Sequence, residues 1–189
     1  MTLRSAEFSS DTVENVRARL SELVGRDGFR NRALAQANPL AIGLAAAHDV
    51  YSLGLDQVAR GDGIDVAERV AQRFLVMDGE RAIASEEVVG SDESGFESNE
   101  GPFVAATAAA IDYAERDPQL ADGAYELRVL RIPALYLMAL WLKDENGRGD
   151  VLIPMSPAPP PLEPLRAYAP DELLAELREQ AETRLRQDV

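Results

Sequence analysis

The chain has a single histidine, His48, followed by Asp49, with Ser52 four residues on. A histidine, a carboxylate and a hydroxyl are the groups from which a base, an orienting acid and a nucleophile are assembled. Neighbouring helical residues project about 100° apart, so Asp49 cannot orient His48 from the next position. No Gly-x-Ser-x-Gly elbow marks a nucleophile. His48 therefore reads as a structural residue near the end of a buried helix, and no residue is assigned a catalytic role.

The most unusual local feature is acidic. From Glu86 to Glu115 there are eight carboxylates and no lysine or arginine. Hard cations favour such oxygens, but a calcium loop needs alternating acids before its glycine, and Asp92-Glu93-Ser94-Gly95 brings the glycine two positions early. Asp62 and Asp65 read as a turn and a helix cap. No metal site is expected; the tract is a solvated loop that could dock a basic partner, with Asp92, Glu93, Glu97 and Glu100 as the contact residues.

Absences narrow the chemistry further. With no cysteine there is no disulfide, thiolate zinc site, iron–sulfur cluster or cysteine nucleophile. One histidine cannot supply a two-histidine metal site. Phosphate cradles are missing, since Gly-x-Gly occurs only as Gly61-Asp62-Gly63, with an acid inside it. No cofactor is expected. The 33 acids against 19 lysines and arginines leave a net charge of -14 in 189 residues, which repels nucleic acid and anionic lipid. The apolar windows at 39–47 and 132–142 fall far short of the roughly 20 residues that span a bilayer. Glu7 and Asp11 interrupt any signal peptide, and a soluble, cytoplasmic protein is expected.

The elements that must position these residues are read from periodicity. Val13, Val16, Leu20 and Leu23 form a helical stripe, with Asp11 and Glu14 as a capping box and Gly25 as its stop. Asn38 and Pro39 supply a cap and first-turn proline for a buried helix over 38–53 that carries His48, and a third helix starts at Asp65. A β-hairpin follows over 74–89, turning at Asp78-Gly79. Residues 90–101 are expected to be a mobile loop. Pro102 opens an alanine-rich helix, and strands follow at 125–132 and 151–155; the continuous apolar run 134–142 between them reads as a strand in preference to a buried helix, two states that periodicity alone does not separate. Seven of the 11 prolines fall between Pro154 and Pro170, and their PxxP spacings read as a taut connector. Leu173, Leu177, Ala181 and Leu185 stripe a final helix.

The whole is expected to be one α+β domain over 1–189. Its helical part covers 9–72, its sheet-forming part 73–155, its proline-rich connector 154–170 and its C-terminal amphipathic helix 170–187. The sheet has about five mostly antiparallel strands with one inserted helix. The functional expectation is a non-catalytic protein-binding module, adaptor, chaperone-like or immunity-like, whose partner has a basic surface. Self-association through the C-terminal helix is a second route. The alternative is a small ligand-binding or hydrolytic domain with a pocket between helix and sheet, which converging polar groups in a cavity would favour.

Overall fold

The computed structural model describes residues 1–25, 32–89 and 95–187. The class is α+β, but the sheet has eight strands rather than about five. They are β1 (Thr2–Arg4), β2 (Ile42–Ser52), β3 (Glu68–Asp78), β4 (Arg81–Val89), β5 (Gly95–Asn99), β6 (Ala124–Ile132), β7 (Leu137–Asp144) and β8 (Val151–Pro154). Their order is β5-β4-β3-β2-β6-β7-β8. β2 and β1 both pair parallel to β6, at 128–131 and 124–126, and the other pairings are antiparallel.

The added strands come from regions read as helix or loop. The segment assigned to a buried helix at 38–53 is β2, a central strand flanked by β3 and β6. From Ala46 onward neither of its faces is exposed, so its side chains there do not alternate apolar and polar as a one-sided strand would. Alanine's helix propensity is too small to outweigh that packing. The helix expected from Asp65 is a single 3-10 turn, Ile64–Val66, that leads into β3. Part of the expected acidic loop is β5, paired with β4 from Val89↔Gly95 to Ser85↔Asn99. Residues 90–94 lie outside the described residues.

Helices cover both faces. On one face α1 (Ser10–Leu23) and α2 (Arg32–Gln36) pack Val16, Leu20 and Leu34 on Phe74, Val76 and Val88. The α1 cap is Ser9, whose hydroxyl accepts from the Thr12 N–H at 3.0 Å, two residues before the Asp11 cap that the sequence suggests. Farther along the same face, α3 (Leu55–Arg60) and α5 (Pro170–Gln187) cover β6, β7 and β8. The α5 stripe of Leu173, Leu177 and Ala181 is fully buried there, so those side chains serve the fold of this chain. On the opposite face lies α4 (Pro102–Arg116), whose Ala110 and Ala114 sit close against Leu127, Val129 and Leu140.

The proline-rich segment closes one sheet edge. Leu152 and Tyr168 exchange both backbone hydrogen bonds at 2.9 Å, and the Leu165 N–H donates to the Pro154 carbonyl at 3.0 Å. The outer rim of β8 is thereby covered, while Leu162 and Tyr168 anchor the segment in the core. Among the described residues, no helix is long and apolar enough to cross a membrane.

Candidate functional site

Cross-strand register places a row of charged and polar side chains on the face that α4 covers. Glu97 on β5 pairs with Glu87 on β4, Glu87 with Arg73 on β3, and Arg73 with His48 on β2. Paired residues point to the same side of a sheet, so these four share a face. Arg131 joins from β6, two residues beyond Val129, which pairs with Val50. Burial here has to be compensated by pairing, because an isolated charge in a low-dielectric interior costs several kcal/mol.

The compensation is partial. Arg73 is 2% exposed, and its Nε lies 3.5 Å from Glu87 Oε1. Arg131 Nη2 donates to Glu87 Oε2 at 2.6 Å. One carboxylate thus serves two guanidinium groups and leaves one positive charge in excess. The remaining contacts of Arg73 are weak: Nη1 stands 3.4 Å from Thr107 Oγ1 and 3.3 Å from Met138 Sδ. Burial, opposed by Glu87 and reinforced by the Arg131 charge, pushes the Arg73 guanidinium down to about 10, and it remains charged at neutral pH.

His48 lies beneath the same network. It is fully buried, its Nδ1 shares a hydrogen bond with the Ala46 carbonyl, and its Nε2 has no partner. The contact exists because β2 carries a bulge between Ala45 and His48, with Ala46 at φ 48°. Burial first, then the charges of Arg73 and Arg131, push its imidazole down to about 3, so it is neutral across the physiological range. It sits on a strand rather than at a helix end, and Asp49 points to the other face, where it pairs with Arg69 at 3.3 Å.

Above Arg73 and Glu87 opens a cavity of about 230 Å³ between the sheet and the start of α4. Its floor is Arg73, Glu87 and Arg131, its outer rim is Glu97 and Asn99 on β5 with Glu100 just after them, and its opposite wall is Phe103, Tyr136 and Met138. Two sharp backbone features shape it. Gly101, at φ 146° and ψ -175°, turns the chain from β5 into α4 in a conformation essentially confined to glycine. Tyr136, at φ 53°, follows the 3-10 turn Pro133–Leu135 and holds its ring 5.3 Å from Phe103 while remaining 62% exposed. A strained non-glycine residue at a cavity mouth is a common mark of a functional site. The N-terminus of α4 also brings partial positive charge to the opening.

Of the four sequence-assigned acids two are described, and both lie at the cavity rim. Asp92 and Glu93 lie outside the described residues. Glu97 and Glu100 both line the cavity. Glu100 accepts from the Arg32 and Ala33 N–H groups at 2.6 and 3.0 Å, fastening the start of α2. Arg73, Glu87 and Arg131 were not singled out by the sequence, because they come from three distant strands with no local motif. The available signal is a charge directly before the apolar run Phe74-Leu75-Val76-Met77. On the other face Glu86, fully buried, accepts from the Ser98 hydroxyl and has Arg19 Nε at 3.8 Å; burial raises its carboxyl above the ordinary range. That pair joins α1 to the sheet.

A larger groove of about 390 Å³ between α1 and the start of β2 is lined mainly by Leu20, Val24, Pro39, Ile42 and Leu44. Its polar lining is Arg17 and Ser21. Among the described residues no group of three or more acids and histidines is arranged to hold a metal ion. Compared with protein-family models, curated proteins and solved structures, the chain matches none.

Proposed function

We propose that this chain is a non-catalytic binding domain that holds a small carboxylate-bearing molecule in the cavity between α4 and the sheet. The observation that carries the reading is the shared use of Glu87 by Arg73 and Arg131, which leaves excess positive charge at the cavity floor. Guanidinium matches a planar carboxylate through parallel hydrogen bonds. A doubly charged phosphate would meet stronger repulsion from Glu97 at the rim. The volume suits a small metabolite, since drug-sized ligands occupy roughly 300–1,000 Å³. The described side chains facing the cavity include no serine, cysteine or histidine, so its polar groups suit recognition rather than nucleophilic attack. Calorimetric titration of the full chain with acetate, isocaproate, hydrocinnamate and inorganic phosphate tests the reading. Saturable binding of a carboxylate that is lost in Arg131→Gln is expected; no carboxylate binding, or binding equally strong in the variant, overturns it.

A second reading, docking of a basic protein segment, is favoured by β5. This edge strand has no partner on its outer side among the described residues, and it carries Glu97. An extended basic segment could add to that edge by backbone hydrogen bonding. Capture of a partner that weakens with salt and is lost when Asp92, Glu93, Glu97 and Glu100 are neutralised together would support it; capture indifferent to both would remove it.

A further inference from the structure

The cavity presents two unmatched charges of opposite sign, and their arrangement names a ligand class. We infer that the ligand is an apolar α-amino acid, bound as a zwitterion with its carboxylate on Arg131 and Arg73 and its ammonium on Glu97. This rests on the carboxylate reading above and makes it narrower.

The negative member is Glu97. It lies directly across from Glu87 in the β4–β5 register, and like charges facing each other across a strand pair are unfavourable. The Glu87 carboxylate is already taken by the two arginines, one on each oxygen. Glu97 has no such ion pair among the described residues, yet it faces the same cavity. A cation placed there would relieve the repulsion between the two glutamates and neutralise the rim.

The positive member is the guanidinium pair at the floor, one charge in excess after Glu87 is counted. Both demands adjoin Glu87: the guanidinium groups of Arg73 and Arg131 lie on its two carboxylate oxygens, and Glu97 is its direct neighbour across the β4–β5 pair. An α-amino acid carries its ammonium and carboxylate on one carbon, and so presents both charges to groups that gather around one glutamate. A simple carboxylate would satisfy the floor and leave Glu97 facing Glu87. A simple amine would satisfy the rim and leave the arginines in excess.

The remaining wall selects the side chain. Phe103 and Tyr136 stand as a tilted aromatic pair, and Met138 lines the same cavity. Aromatic rings and a thioether offer dispersion contact rather than hydrogen bonds, which favours aliphatic or aromatic side chains. Tyr136, largely exposed at the mouth, would lose solvent contact as the ligand enters.

The test titrates the full chain with free leucine and free phenylalanine against their deaminated counterparts, isocaproate and hydrocinnamate, in wild type and in Glu97→Gln. Glu97 is exposed and faces a like charge, so the variant should fold with unchanged or higher melting temperature. Binding of at least one amino acid about tenfold tighter than its deaminated counterpart, with that ratio collapsing towards one in Glu97→Gln, is the expected result. Equal binding of acid and amino acid, or a ratio preserved in the variant, overturns the zwitterion inference while leaving the carboxylate reading in place. Failure of all four compounds to bind overturns both.

Discussion

Arg73 and Glu87 face each other across β3 and β4, Nε to Oε1 at 3.5 Å, with side chains 2% and 4% exposed. The pair is too deep to be screened by solvent, and the same glutamate holds Arg131 at 2.6 Å. Removing the carboxylate would strand two cations, one of them in the core. Glu87→Gln should therefore cost about 3–5 kcal/mol of stability, the range for breaking a buried pair by deleting one partner. Arg131→Gln should cost less, because its side chain is partly exposed and Arg73 keeps Glu87. Urea unfolding of both variants checks this; equal losses would mean that Glu87 does not anchor the network.

The buried histidine makes stability depend on pH with a definite sign. Unfolded, His48 takes up its proton near its ordinary 6.5; folded, it resists until about 3. Between those values the unfolded chain binds more protons, so stability falls as pH is lowered, by roughly 4–5 kcal/mol from this residue across the window. Glu86 acts in the opposite direction, since its raised folded value favours the protonated native state. Comparing slopes isolates the histidine, because the acids are common to both proteins. His48→Gln should flatten the decline between pH 6.5 and 3 relative to wild type. Parallel curves would show that His48 is not held neutral by its surroundings.

How far these residues were legible in the sequence depends on where their constraints lie. α4, β6 and α5 follow local periodicity: an alanine-rich face, alternation from Tyr125 to Val129, and a leucine stripe from Leu173. β2 does not, because its environment is set by β3 and β6 from elsewhere in the chain. Asn38 and Pro39, taken as a helix start, lead instead into a strand, and the bulge at Ala46 further blurs its period of two. The strand β5 was hidden by its polar composition; it is held by pairing with β4 and by Phe96, which packs with the α1 cluster and lies under Arg19. The site was the least legible part. His48 drew notice as a rare residue type, but the charges around it converge through sheet order, which no spacing in the sequence encodes. Composition and spacing point to a pocket between helix and sheet only in general terms, with no residue of it named.

Gly101 sets how α4 approaches the cavity. At φ 146° and ψ -175° it occupies a region that a side chain enters only with strain. No atom lies within 4 Å of where a Cβ would stand, so crowding is not the issue. Gly101→Ala should lower stability by about 1–3 kcal/mol through backbone strain, and relief by shifting the start of α4 should also weaken any ligand held below it. Chemical denaturation and titration of the variant measure the two effects. Unchanged stability would show that α4 can enter by another backbone path.

The proline-rich segment protects as well as connects. Tyr168 is 4% exposed, pairs with Leu152 through two backbone hydrogen bonds, and accepts at its hydroxyl from the Glu163 N–H at 3.0 Å. Its ring also lies beneath Arg166, 4.6 Å from the guanidinium carbon. Tyr168→Phe removes one hydrogen bond and should cost about 1 kcal/mol. Tyr168→Ala removes the anchor and should cost about 3–5 kcal/mol, the range for truncating a buried aromatic. Loosening the segment would uncover the rim of β8, and an exposed sheet edge recruits other strands. Tyr168→Ala should therefore aggregate below its unfolding transition, whereas Tyr168→Phe should remain monodisperse at the same temperatures. Light scattering during a thermal ramp separates them, and a destabilised but non-aggregating Tyr168→Ala would reduce the segment to a connector.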